Sequence, residues 1–399
     1  MFRAGLAALT ALYLLQIFTP LRLDNDSVVY LLLGVGLSEG TALLDVGLPL
    51  GYPAYMSLLD RAGIASSISI VLSNCVFLAT GVASVWYMLG PEAETRRRWT
   101  VLLSLLAVPI VRSIAMPLPE AMFFGISLLC LAVMTAADKR HGARRLQLLI
   151  AAIVLTALAI TVRLVGFALV PALLWTLFAR SFQRRGDMSK LDKSLAIGAV
   201  VVIALVAAFL LRDSFEKYAS EGSMRIGEFL KHLRGMLLTI GELVSNLPLS
   251  RFRDYRTGFL ALGIAATLVL LAGLRIRLAR TPAGVYLISF LTLLFLWPYE
   301  AVRLWMPIIP LLIAWVATAP RRYRANRAWT WLGRAYVAWF IVTGLAALAY
   351  TSRITLSGDN FANVYGRAGG LSHPDSLGRI DTLHNANAMR LMKRYGRPF

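Results

Sequence analysis

Two carboxylates one residue apart stand near the start of the chain, in Leu21-Arg22-Leu23-Asp24-Asn25-Asp26-Ser27-Val28-Val29-Tyr30. An ionised carboxylate can take a proton from an attacking hydroxyl, or ligate a divalent metal. The same residues also suit a plainer task, since Asp26 or Ser27 could cap a helix that starts at Val28. A third carboxylate, Glu120, follows Pro119 where an apolar block opens, and there it would complement the positive end of a helix. Arg112, Arg163 and Arg303 also stand at block edges, and Arg251, Arg253 and Arg256 form a basic cluster. A guanidinium offers a planar fork of donors that matches phosphate and can stabilise it as a leaving group. Arginine at the end of an apolar helix also snorkels to the headgroups with no further purpose. Glu300 could pair with Arg303. His141, His232, His373 and His384 have no metal-ligand spacing. Walker patterns, Gly-rich phosphate loops and G-x-S-x-G are absent.

The rest of the chain must position these groups. Of its 399 residues, 58% are hydrophobic and 16% charged, where a soluble domain carries roughly 25% charged. The apolar residues gather in long blocks, several near the ~20 residues that cross a bilayer. Such blocks leave no polar face for water, so a soluble core cannot absorb them. In lipid a helix satisfies its own backbone, which predicts an all-α polytopic bundle. Spans are expected at 4–20, 64–89, 99–115, 119–136, 146–162, 164–179, 194–211, 257–274, 283–297, 304–318 and 335–351, about eleven in all. The fifth and sixth nearly touch at Arg163, which predicts a broken or re-entrant helix there.

The formal charge is +20. Nucleic-acid binding is one reading of such a balance, but many of the arginines sit in short loops between apolar blocks, as membrane topology requires. The basic loops are Arg96-Arg97-Arg98, Lys139-Arg140 with Arg144-Arg145, Arg180 to Lys193, Arg275/Arg277/Arg280, and Arg321/Arg322/Arg324/Arg327. A cytoplasmic N-terminus puts all of them on the cytoplasmic face. The outer face then receives the loop 21–63, the turns near Arg112–Pro119 and Trp297–Arg303, the loop 212–256 and a short tail, 352–399. In the first of these loops Val28 to Leu37 is apolar but too short to span, so an interfacial helix is expected, with a second at Gly51 to Asp60. The loop 212–256 is expected to hold another. Cys75 and Cys130 lie inside apolar blocks, which argues against a disulfide framework. The first block looks like a signal peptide, but no small-residue cleavage site precedes Leu21-Arg22, so a retained first helix is expected. No internal repeat and no linker to a separate soluble domain is evident, so residues 1–351 read as one transmembrane domain.

Several outer-face segments share one likeness. Asp26 precedes Tyr30 by four residues, and Leu31–Gly40 is a leucine-rich run that ends in small residues. Pro49-Leu50-Gly51-Tyr52-Pro53 fits a "P-x-G-[YL]-P" stretch, and Leu118-Pro119-Glu120 opens a span with an acid. Thr161-Val162-Arg163-Leu164-Val165-Gly166 places an arginine at the outer surface, and Arg303 with Pro307 and Pro310 fits "R-x-x-x-P-x-x-P". In order and placement these segments resemble the GT-C superfamily of membrane glycosyltransferases, which take sugars from polyprenyl-phosphate carriers. The likeness is to the bacterial branch of protein O-mannosyltransferases and lipid A aminoarabinose transferases. It covers most of the membrane portion. Two features depart from the pattern: Ser27 stands where many relatives have an acid, and the outer tail is short.

The resemblance implies a hexosyl- or pentosyltransferase of the bacterial inner membrane. Asp26 would be the general base, with Asp24 and Glu120 as further catalytic candidates and Arg303, Arg163, Tyr30, Tyr52 and Arg112 binding substrate. The partners implied are a polyprenyl-phosphate-linked sugar, a glycan, lipid or protein acceptor, and membrane lipid; nucleic acid is not among them. The resemblance names no definite cofactor, although a divalent metal could take part. The competing readings are a transporter or lipid flippase, and a membrane scaffold. The spans are almost free of charge and the acids gather in outer loops, which favours surface chemistry over passage.

Overall fold

The computed structural model describes residues 2–41, 48–184, 197–198, 201, 203, 205, 226–273, 280–296, 301–317, 327–357 and 382–396. Among these the chain is all-helical, without strands. In chain order the helices are α1 (Phe2–Leu15), α2 (Asn25–Glu39), α3 (Gly51–Arg61), α4 (Ser67–Leu89), α5 (Glu94–Leu105), α6 (Val108–Ser113), α7 (Pro119–Asp138), α8 (Gly142–Val162) and α9 (Leu169–Arg184). They continue with α10 (Ile226–Ser245), α11 (Arg256–Gly273), α12 (Pro282–Leu296), α13 (Ile309–Val316), α14 (Arg327–Ser357) and α15 (Thr382–Tyr395).

Among the described residues five helical stretches are long and apolar enough to cross a membrane: Ser67–Leu89, Pro119–Asp138, Gly142–Val162, Arg253–Leu271 and Thr330–Ser357. Shorter apolar helices run over Phe2–Phe18, Leu164–Phe178, Pro282–Leu296 and Val302–Val316. Helix α7 is the centre of the bundle, with 72% of its apolar window buried, against 11% for Arg253–Leu271 and 22% for Thr330–Ser357. Those two outer stretches therefore turn large side chains such as Leu268, Val269, Trp331 and Val342 outward, a surface that suits lipid tails and not water. The block 194–211 lies mostly outside the described residues, as do Arg275, Arg277, Arg321, Arg322, Arg324 and the tail 358–381.

Two expected spans are interrupted: 304–318 is a 3-10 turn, Val302–Ile308, followed by the short α13, and the other is broken inside the bundle. The block 99–115 is not continuous but divides into α5 and α6 at Leu106–Ala107. Pro109 lacks an N–H and its ring displaces the preceding turn, so the helix restarts there. The break would strand backbone groups inside the bundle. Asn246 supplies them: its Oδ1 accepts from Val108 N at 2.8 Å, and its Nδ2 donates to Leu106 O at 3.0 Å and Phe340 O at 3.1 Å. Asn246 itself adopts a left-handed φ of 56°, which Asn tolerates better than most residues.

The break expected at Arg163 is present. Helix α8 ends at Val162, Arg163 is extended at φ −152° and ψ 136°, and a 3-10 turn, Leu164–Ala168, leads into α9. Gly166 makes the reversal feasible, because a Cβ there would sit 2.8 Å from the backbone of Ala159. The helices expected in the first loop form over Asn25–Glu39 and Gly51–Arg61. They share a small apolar core with α15, built from Leu23, Val28, Tyr30, Leu31, Tyr52, Met56, Leu391 and Tyr395.

Candidate active site

The site begins with the chain between α1 and α2. Arg22 is buried there and anchors it, donating from Nε to Thr19 Oγ1 at 2.8 Å and from Nη2 to Thr351 O at 2.9 Å and Thr355 Oγ1 at 3.0 Å. Helix α14 thus holds the approach to α2 in place. Asp24, and not Asp26 or Ser27, caps α2: its Oδ1 accepts from Ser27 N at 2.7 Å and Ser27 Oγ at 2.6 Å. The helix starts three residues earlier than the apolar run suggested, because the side-chain oxygen of Asp24 satisfies one of the first free N–H groups. Asp26 falls in the first turn, where the helix dipole favours a negative charge.

Both acids meet Arg303, which comes from the 3-10 turn Val302–Ile308. Its Nη1 pairs with Asp24 Oδ2 at 3.2 Å and its Nη2 pairs with Asp26 Oδ2. Its Nε lies 3.3 Å from Glu120 Oε1. All three nitrogens of one guanidinium are thus engaged by carboxylates from two separate helices. Glu120 is the first-turn acid of α7, only 1% exposed, and its Oε1 also accepts from Arg163 Nη1 at 2.5 Å. Arg163 reaches it because the α8–α9 break turns that residue out of helical geometry. Three carboxylates against two guanidiniums leave the cluster one negative charge in excess.

A tight cleft borders the cluster, lined by Glu120, Phe123, Arg163, Val165, Arg303, Leu304 and Pro307 and too narrow to admit a water molecule. Glu120 Oε2 is buried and meets no hydrogen-bond partner among the described residues, and the same holds for the hydroxyl of Tyr52. Tyr52 stacks edge-on against Tyr30, with ring centroids 5.8 Å apart. Gly51, just before it, lets α3 abut the end of α8, since a Cβ there would sit 2.7 Å from Thr161 O. Burial, and then the nearby Glu120 charge, push the Tyr52 hydroxyl well above its ordinary range, so it remains a neutral donor.

The expected residues divide clearly. Asp24, Asp26, Glu120, Arg163 and Arg303 converge in one cluster, and Tyr30 and Tyr52 pack beside one another. Arg112 is exposed and acts electrostatically on Glu242. Arg251 lies over the ring of Tyr350, 4.7 Å from its centroid, and Arg253 and Arg256 are exposed. Glu300 and His373 lie outside the described residues, and nothing is described for the side chain of His384. Among the described residues no group of three or more His, Cys, Asp or Glu is arranged to hold a metal ion. Sequence reasoning missed the cap role of Asp24 and the orphaned oxygen of Glu120. Its only available signal for the first was the spacing Asp24 to Ser27, a cap with its N3 partner. No family model, no curated protein and no solved structure matches the chain.

Proposed function

We propose that the chain is an integral-membrane glycosyltransferase that moves a sugar from a polyprenyl-phosphate donor to an acceptor hydroxyl on the outer face. The observation that carries this reading is the engagement of Arg303 by Asp24, Asp26 and Glu120 at one end of the bundle. A guanidinium is a group that binds phosphate and a carboxylate a candidate base, and this contact sets the two side by side.

The geometry suggests an exchange. Each nitrogen of Arg303 already meets a carboxylate, which engages three of its five N–H donors, so an arriving phosphate would compete with those carboxylates for the guanidinium. Glu120 is 1% exposed and Asp24 also caps α2, whereas the Asp26 side chain is 49% exposed. Asp26 is the partner that leaves most cheaply. Paired with a guanidinium it is a weak base; released, it can accept a proton. Donor binding would therefore arm the base. The acceptor oxygen then attacks the anomeric carbon, its proton passes to Asp26, the bond from carbon to phosphate oxygen breaks, and polyprenyl phosphate departs on Arg303. Clustering of charge at one end of α7 and α8 supports this over a transport pathway, which would need charge along the spans. The reading also carries the finer topology: about eleven spans, cytoplasmic N-terminus, outer C-terminus, and α2 and α3 lying at the outer membrane surface, with no metal or cofactor in these steps.

The test is mass spectrometry of lipid-linked sugars and envelope glycans in a deletion strain. An unconsumed polyprenyl-phosphate sugar, restored to normal by the wild-type gene and not by Arg303→Ala, is the expected result. Arg303→Lys should recover only part of the activity, because an ammonium lacks the fork. Unchanged lipid and glycan profiles would remove the proposal.

A further inference from the structure

The C-terminal helix α15 carries an arrangement that none of the site residues requires. Arg394 Nη1 lies 2.6 Å from Glu39 Oε1, and its Nη2 lies 2.7 Å from Asp60 Oδ2. Its Nε donates to Asp60 Oδ1 at 3.2 Å, Tyr395 donates to the same oxygen at 3.1 Å, and Ser38 Oγ donates to Asp60 Oδ2 at 2.5 Å. Glu39 is the last residue of α2, and Asp60 lies in the last turn of α3. A helix C-terminus is already partially negative, so a carboxylate there is unfavourable. Here two such ends, each with its own acid, meet at one place. A bidentate guanidinium is the group best suited to neutralise both. Beneath it, Ala388, Leu391 and Tyr395 complete the apolar core that contains Tyr30 and Tyr52.

We propose that Arg394 is a positioning residue, which clasps the ends of α2 and α3 and thereby sets the orientation of the carboxylates at the opposite end of α2. Helix α2 has 15 residues, so its two ends are about 22 Å apart. A helix of that length turns as a rigid rod. Held at Glu39, it presents Asp24 and Asp26 to Arg303 in one orientation; released, it pivots on its apolar face. The C-terminal segment is then a structural wall of the outer end of the bundle rather than a dispensable tail.

Amide hydrogen exchange on the full-length protein in detergent tests this without any substrate. In Arg394→Gln, exchange should quicken by about fivefold or more across residues 24–31 as well as beside the clasp. The triple variant Glu39→Lys, Asp60→Lys and Arg394→Glu, which rebuilds both ion pairs in reverse, should restore slow exchange at 24–31. Quickening confined to 36–41 and 58–62, no change at all, or failure of the reversed clasp to restore the far end would each overturn the proposal. If Arg394→Gln does not fold, the reversed clasp alone decides, since it should fold with protection close to wild type. A transfer assay on the same variants rests on the reading under Proposed function, and there turnover should fall with little change in donor KM. Loosening of α2 in a protein whose wild type transfers no sugar would sink that reading and leave the clasp standing.

Discussion

At the scale of single residues, the structure separates two acids that the sequence leaves equivalent. Asp24 divides its oxygens between the α2 cap and Arg303, whereas Asp26 pairs with Arg303, has no capping role and is half exposed. Asp26→Asn should therefore remove the base while keeping the helix, lowering turnover by ~10²–10⁴-fold in a transfer assay. Asp24→Asn should be milder, since Asn caps nearly as well as Asp. Near-normal turnover in Asp26→Asn beside a dead Asp24→Asn would exchange their roles. The convergence of Asp26, Glu120, Arg163 and Arg303 was legible as residue types at block edges, because charge inside an apolar chain is conspicuous. Their pairing was not, because it depends on contacts between residues as far apart as 24 and 303, which no local pattern encodes. Arg112 shows the limit: it has the same residue type and a similar position at a block edge, yet it acts on Glu242.

At the scale of elements, hydrophobic block length located the long helices well and failed where a proline and a distant side chain cooperate. The block 99–115 reads as one span, and only Asn246, 138 residues beyond Val108, explains how it can be broken. Asn246→Ala should leave Val108 N–H and Leu106 C=O unpaired in the interior, at about 1–3 kcal/mol for each group. A clear fall in Tm of the purified protein is the expected measurement, and an unchanged Tm would mean that the break is satisfied in another way. The α2–α3–α15 junction makes a second prediction, about pH. Burial alone would raise the Asp60 carboxyl, but hydrogen bonds from Arg394, Ser38 and Tyr395 outweigh it and hold the group below its ordinary value of 3.8. A depressed folded pKa means that the clasp stabilises fully above that value and is lost as the pH falls through the depressed one. Thermal unfolding of the wild type should thus weaken below about pH 4 more steeply than that of Asp60→Asn, which carries no titrating group there. Parallel curves would show that the clasp adds nothing measurable.

At the scale of the whole molecule, the charged cluster, the cleft and the clasp all belong to the end of the bundle where α2 and α3 lie, while apolar side chains face outward along the long stretches Arg253–Leu271 and Thr330–Ser357. If that end is periplasmic, cysteines placed near residues 96, 185 and 322 should be labelled only from the cytoplasm, and one at 390 only from outside. Labelling of 322 and 390 from the same side would overturn the odd number of spans. The same architecture has a consequence for how the chain is made. The segment that holds Pro109 leaves the ribosome well before Asn246 does, and until then its interrupted backbone has no partner from that residue. Lipid offers none. The early segment should therefore linger beside the insertion machinery, and chains arrested before residue 246 should cross-link to it through residues 106–109 while chains arrested well after do not.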